Sequence, residues 1–248
     1  MIGFGTIFNI ATILVGTLLG TLLGSKLSEK TSRTVTDSLG LITIVLGGLN
    51  LLSLMDAEYA AAVTGPGTFF IVIFAILFGG IIGSFLNIEE RLENFGGWLQ
   101  KKFAKKATGS EARQRFITGF VDASLIFAIG PMAILGSMSD GLGQGSNTLV
   151  VKSILDGFAS IAFAASLGWG VAASAITVGV WQGLLTGVAY FAGAGIPVAM
   201  VSAITATGGI LMLGIGLRLL KLRSVAVADM LPALVLAPLF TWLVASIL

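Results

Sequence analysis

Cysteine and histidine are absent from this chain of 248 residues, and charge is scarce: 14 Lys and Arg and 12 Asp and Glu make up only 10% of it. Without cysteine there is no disulfide and no thiolate nucleophile. Without either residue there is no Cys/His zinc site and no imidazole general base. Any titration between pH 5 and 8 must then come from a shifted carboxylate or a shifted lysine. Soluble domains carry about 25% charged residues, so most of this chain does not face water. Apolar residues fill the space, at 56% of the total, together with 34 glycines, nearly twice the usual share of about 7%. The glycines lie inside the apolar runs, where they let helix backbones approach closely.

Runs of about 20 apolar residues are long enough to cross a bilayer. Eight are present: 2–24, 39–54, 68–88, 117–138, 149–167, 170–192, 198–220 and 225–248. The expected fold class is therefore all-α, a polytopic helical bundle forming a single integral membrane domain over 1–248. The first run exceeds a signal-peptide core, no Lys or Arg precedes it, and no small-residue cleavage site follows; it reads as a true span. The second run is short. Only Gly168-Trp169-Gly170 separates the fifth from the sixth, which predicts a tight turn and leaves seven spans as the alternative.

Positive charge sets the orientation. Lys26, Lys30 and Arg33 follow the first run, seven Lys and Arg between Arg91 and Arg115 lie between the third and fourth, and Arg218, Lys221 and Arg223 follow the seventh. With eight spans these loops share one side, so both termini are expected outside a bacterial inner (cytoplasmic) membrane. Lys152 alone breaks the pattern. It reads as a lysine snorkelling to the headgroups, as a partner for Asp156 one turn later on the same helix face, or as both.

The segment 89–109 differs from the spans. Leu92, Phe95, Leu99 and Phe103 recur at helical spacing; Glu89, Glu90 and Glu93 open it, and Lys101, Lys102, Lys105 and Lys106 close it, a distribution that suits the helix dipole. An amphipathic helix on the cytoplasmic membrane surface is expected. Its lysines read as contacts with anionic lipid, with partner docking as the alternative and nucleic acid excluded from the expected partners.

Gly16, Gly20 and Gly24 in the first run, and Gly183 and Gly187 in the sixth, have the spacing of close helix crossings. Two faint internal similarities, 22–27 with 81–86 and 40–52 with 208–220, suggest an inverted repeat, since the second pair lies on spans of opposite direction.

The chemistry concentrates in a few polar residues. Asp122 and Asp156 sit inside apolar runs, where a carboxylate costs several kcal/mol unless it finds a partner, a proton or water. Each lies about seven residues, or roughly 10 Å at 1.5 Å per residue, from its end of a span, and from opposite faces. The plainer reading is an aspartate that reaches interfacial water or an orphan backbone N–H. Gly130-Pro131 interrupts the fourth span near Ser124, and the missing proline donor predicts a kink or a broken helix, the kind of break from which transporters build sites. Asp140 follows in an expected outer loop, where solvation or a turn suffices. Gln182 sits between Trp181 and Gly183 and reads first as a bridge between helices; Asn9 and Asn50 carry the same ambiguity. Ser202, Thr205, Gly208 and Gly209 either line a path or pack closely.

The string from Gly130-Pro131-Met132 to Gly136-Ser137 with Asp140-Gly141, the string Lys152-Ser153-Ile154-Leu155-Asp156-Gly157, and then Leu167-Gly168-Trp169-Gly170-Val171, Gln182-Gly183 and Gly83 with Ile88-Glu89-Glu90 resemble motifs of the YdfK/YqgA-type family of uncharacterised bacterial membrane proteins. The similarity spans nearly the whole chain. Trp181 departs from it, since Tyr is expected before the glutamine. The resemblance implies a polytopic bacterial membrane protein and no substrate.

The leading expectation is an ion-coupled secondary transporter, or ion pathway, for a small solute. Asp122 and Asp156 would bind a cation or proton, Lys152 would tune Asp156, the Gly130-Pro131 break would supply backbone ligands or a hinge, and Ser124, Asp140 and Gln182 complete the candidate set. A passive channel and a structural or partner-binding protein acting through the 89–106 helix are the alternatives. No catalytic residue, metal ligand or cofactor is expected, and no enzyme activity, because a serine nucleophile here has no evident base. The expected surroundings are the lipid bilayer and a small solute or ion, with a homo-oligomer left open.

Overall fold

A computed structural model describes residues 1–103, 109–193 and 195–247. Among the described residues there are helices and no strand. In chain order the helices are α1 (Phe4–Gly24), α2 (Glu29–Leu51), α3 (Ala57–Val63), α4 (Gly67–Leu86), α5 (Ile88–Phe103), α6 (Ser110–Ala128), α7 (Pro131–Gly141), α8 (Asn147–Leu167), α9 (Gly170–Ala192), α10 (Val198–Leu219) and α11 (Ala233–Ile247). The protein is thus the expected all-α polytopic bundle. Among the described residues seven helices are long and apolar enough to cross a membrane, and α6 with α7, bent by 62° at their junction, makes an eighth if the bent pair counts as one span.

Several boundaries follow from local chemistry. Gly168, at φ 75°, ends α8 and lets α9 begin two residues later, so the fifth and sixth runs are separate helices joined by a tight turn. The second run is longer than its apolar stretch: α2 starts at Glu29 and its span runs to Met55. The last helix begins later than residue 225: a 3-10 turn at Ala228–Met230 precedes it, and Ala228 and Asp229 there bond to Glu89. The Asp229 carboxylate accepts the Glu89 N–H at 2.8 Å, the Glu89 carboxylate accepts the Ala228 N–H at 2.6 Å, and Arg218 donates to Glu89 at 2.5 Å. Asp140 also departs from expectation: it lies within α7 and is buried rather than in an outer loop. Helix is favoured there because the chain restarts at Pro131, whose fixed φ suits the first helical position.

Two compact units emerge, each interleaved in sequence. The first comprises Met1–Leu39, Leu92–Ala128 and Met132–Gly195; the second comprises Gly40–Arg91, Ile129–Pro131 and Ile196–Leu248. In the second, Tyr59, Val63, Ile71, Ala75, Ala203, Ala233 and Ala237 form a buried cluster. The Tyr59 hydroxyl donates to the Thr68 carbonyl at 3.2 Å; burial pushes its phenol up to about 12 against a smaller downward pull from Thr241, so it stays a neutral donor. In the same unit α2 and α10 pack antiparallel through glycine. A Cβ on Gly209 would stand 2.6 Å from the Gly47 carbonyl oxygen, and one on Gly216 would stand 2.9 Å from that of Gly40. Gly209 is therefore a packing residue, and Ser202 and Thr205 lie buried on the same helix.

In the first unit α1 and α8 run parallel and nearly touch. Gly16 faces Gly157, Gly20 faces Ile161 and Gly24 faces Ala165, each with its hypothetical Cβ 2.3–2.4 Å from the opposing carbonyl oxygen. Residue numbers rise together along the pair. α6 and α7 likewise run parallel to α9, with contacts at Phe116 with Gly170, Ser124 with Thr177 and Gly141 with Thr186. The second glycine pair behaves differently: a Cβ at Gly183 or Gly187 meets nothing within 4 Å, so neither glycine makes a close crossing among the described residues, despite the shared spacing. α5 packs on α6 through Gly96, whose Cβ would meet Phe120 at 2.9 Å. It buries Leu99 and exposes Phe95 and Trp98. Lys105 and Lys106 lie outside the described residues.

These contacts predict opposite responses to one chemical change. Gly16→Ala must push α1 off α8, at a cost of about 1–3 kcal/mol, whereas Gly183→Ala adds a methyl to open space. Thermal unfolding in detergent should show a lowered Tm for the first and an unchanged Tm for the second.

Candidate functional site

A buried ion pair of the first unit lies where α1, α6, α8 and α9 meet. Lys152 and Asp156 lie one turn apart on α8, which puts both on one helix face. Only 6% and 8% of their surfaces are exposed, so the lysine does not snorkel; its ammonium pairs directly with the Asp156 carboxylate. Its second acceptor is the Phe127 carbonyl of α6, at 2.7 Å. That carbonyl is free for a covalent reason. In a continuous helix it would accept from the N–H of residue 131, and residue 131 is proline, which has none. The Gly130-Pro131 break therefore supplies a backbone ligand at the ion pair.

Asn9 of α1 completes the group. Its Nδ2 donates to the Asp156 carboxylate at 3.0 Å and to the Gln182 side-chain oxygen of α9 at 3.3 Å. Gln182 thus acts as a bridge between helices, as its position suggested. The amide of Asn9 is fully buried and reaches both partners because α1 lies backbone to backbone on α8. Two polar atoms of this group, Asn9 Oδ1 and Gln182 Nε2, have no hydrogen-bond partner among the described residues.

Further buried hydroxyls have no hydrogen-bond partner among the described residues: Thr6 and Thr17 on α1, Ser137 on α7, Ser160 on α8 and Thr186 on α9. Thr6, Asn9 and Thr17, like Ser153, Asp156 and Ser160, recur at helical spacing and so share a face. An unpaired buried donor or acceptor costs about 1–3 kcal/mol, so a seam of them is not accounted for by stability.

The other candidates are placed as follows. Asp122 is fully buried on α6, five residues before Phe127 and thus about 7.5 Å from it along the axis. Ser124 donates to Thr177 of α9 at 3.1 Å, outside the ion-pair group. Asp140 accepts the Gly5 N–H at 3.2 Å and so caps α1, whose preceding residue, Gly3, offers no side-chain cap. Gly130 and Pro131 act through the helix break. Asn50 contacts Met212 in the second unit at 3.4 Å and takes no part. Asn9 is the residue that sequence reasoning ranked too low. Its signal was an amide in a run with no other strongly polar side chain at that depth.

A family model described as a protein of unknown function, DUF554, matches residues 4–242. The uncharacterised membrane protein YdfK of Bacillus subtilis is 30% identical over 243 residues, covering 97% of this chain and 96% of the relative. The uncharacterised protein YqgA of Escherichia coli is 29% identical over 236 residues, 94% of each. No solved structure matches.

The ion pair makes a thermodynamic prediction. Lys152→Met or Asp156→Leu alone strands its partner and should cost about 3–5 kcal/mol, while the double variant should recover most of that loss. Thermal unfolding of the four proteins in detergent measures the coupling; purely additive losses would mean the two charges are independent.

Proposed function

The chain belongs to the DUF554 family of proteins of unknown function, and we propose that it is an ion-coupled pathway for a small solute, with the proton as the coupling ion. The observation that carries this reading is the Asn9 amide, which joins the buried Lys152–Asp156 pair to Gln182 across three helices. The group offers one carboxylate, and the Lys152 ammonium already stands where a bound cation would stand. Exchange at this place is then simplest for a proton. A proton arriving on Asp156 removes the charge that holds the ammonium, and Lys152 keeps the Phe127 carbonyl as its remaining acceptor. Asn9 and Gln182 each retain an unused polar atom with which to take up a polar solute or water. Asp122 serves on this reading as a second buried carboxylate along the path, approached from the other end of the bundle. The seam of unpaired hydroxyls on α1, α7, α8 and α9 supports the same reading.

The charge asymmetry supports an inner bacterial membrane with both termini outside, and with α5 along the cytoplasmic surface. Phe95 and Trp98 of α5 are exposed and stacked at 5.7 Å, with the Lys102 ammonium 5.0 Å over the Trp98 ring. An amphipathic helix at the headgroup level presents such a face. The chain lacks cysteine, so single introduced cysteines report sidedness cleanly. Lys30→Cys should react with an impermeant maleimide only from the cytoplasmic side, and Gln144→Cys only from outside.

The transport reading is tested by proton flux in proteoliposomes carrying a pH-sensitive dye, with and without candidate solutes. Asp156→Asn should abolish coupled flux, and Asp122→Asn should reduce it several-fold. Flux unchanged in both variants would overturn the assignment, and flux that neither saturates nor couples would identify a passive channel instead.

A further inference from the structure

Two adjoining pockets of the first unit, both lined by Phe116 and Trp169, make up a groove beside α1. The longer part, about 510 Å³, is apolar and is lined by Ile10, Leu14, Ala172 and Ile176 besides the shared pair. This volume lies within the range of about 300–1,000 Å³ typical of ligand sites. Alanines on α9 keep the groove open, and Leu14, Trp169 and Ile176 are exposed along it. The shorter part, about 330 Å³, is where Thr21, Ser25 and Arg115 come together. From Ser25 to Ile10 the groove follows fifteen residues of α1, about 22 Å at 1.5 Å per residue, which exceeds one leaflet of a hydrocarbon core about 30 Å thick.

The polar end is built for an anion. The Arg115 Nε donates to the Ser166 carbonyl at 2.7 Å, which fixes the plane of the guanidinium and leaves its two Nη groups with no hydrogen bond or ion pair among the described residues. Glu111, one turn earlier, forms no ion pair with it among those residues, and Lys26 follows Ser25 in sequence. A guanidinium held by Nε and open at both Nη matches the fork geometry of a phosphate. The hydroxyls of Thr21 and Ser25 both donate to α1 carbonyls, so the hold on a phosphate rests on Arg115.

We propose that this groove is a binding site for an anionic phospholipid, with the phosphodiester on Arg115 and one acyl chain lying along Phe116, Trp169 and α9. The occupant is a lipid rather than a peptide, because the long part is apolar and opens on a helix surface suited to the bilayer, while the charge among the described residues lining its end is positive. The site does not depend on the transport reading, since it shares no residue with the Asn9, Lys152, Asp156 and Gln182 group.

The test uses the full chain in detergent, titrated with phosphatidylglycerol and with phosphatidylcholine of the same acyl composition and read by native mass spectrometry. Wild type should bind phosphatidylglycerol about ten-fold more tightly, the equivalent of roughly 1.4 kcal/mol. Arg115→Gln should bring it down to the phosphatidylcholine level, and Arg115→Lys should fall between. Ala172→Phe, which fills the groove, should weaken both lipids, and Lys30→Gln should change neither. Equal binding of the two lipids by wild type, or undiminished phosphatidylglycerol binding by Arg115→Gln or Ala172→Phe, would overturn the proposal. Should Arg115→Gln prove unfolded by its thermal melt, a variant that keeps Trp169 as its only tryptophan, the other three replaced by Phe, settles the matter: bromine-labelled phosphatidylglycerol should quench it more strongly than bromine-labelled phosphatidylcholine, and equal quenching would overturn the proposal.

Discussion

The first unit is organised around one demand: a lysine and an aspartate, both removed from solvent, must satisfy each other and find further partners inside a helix bundle. An ammonium has three donors and a carboxylate about four acceptor positions, so the pair alone is not enough. The remaining partners come from three other helices, and each carries its own requirement. The Phe127 carbonyl is available because Pro131 cannot donate to it. Asn9 reaches Asp156 because α1 and α8 are in backbone contact. Gln182 is reached because the same amide has a second N–H.

Packing and chemistry are therefore one constraint here. A helix pair spaced by ordinary side chains lies 8–10 Å apart, and Asn9 has one of the shorter polar side chains. The glycines at 16, 20 and 24 on α1 and the glycine at 157 on α8 shorten the separation along the length of the pair. Gly157 follows Asp156 directly, so the residue that admits the neighbouring backbone and the residue that needs its amide occupy adjacent positions. Asp140 fixes the same helix from its end, where its carboxylate receives the Gly5 N–H and sits at the positive end of the helix dipole.

Much of this was legible in the sequence. Hydropathy located the spans, and the i, i+4 spacing of Lys152 and Asp156 announced a pair, because an isolated charge in an apolar run is the costlier state. Gly-Pro announced a break, though not that the freed carbonyl would meet a lysine 25 residues away. Glycine spacing was legible but ambiguous. The 16/20/24 series and the 183/187 pair look alike in sequence, and only the first meets a backbone, because which face of a helix is covered is a property of its neighbours. Asp229 sat unnoticed within a run read as a span; its role in receiving the Glu89 N–H depends on a contact 140 residues distant in sequence. Asn9 was undervalued for the same reason, as its two partners lie 147 and 173 residues away.

The unpaired polar atoms bear on the difference between a structural ion pair and a working one. A buried pair kept only for stability is poorly explained, since apolar replacements of similar volume are often neutral or stabilising. A pair kept for specificity would be expected to close its hydrogen bonds, as a fully satisfied network does. This one leaves Asn9 Oδ1 and Gln182 Nε2 open on the same two amides that contact each other, with unpaired hydroxyls of Thr6, Ser160 and Thr186 on the same three helices. The open positions include both acceptors and donors, so they suit a molecule that can do both, such as water or a small polar solute, better than they suit a bare cation. Lys152 has two acceptors for its three donors, while the two amides each keep an open polar atom; on the proposed reading, charge is managed by Lys152, Asp156 and the Phe127 carbonyl, and recognition is left to Asn9 and Gln182.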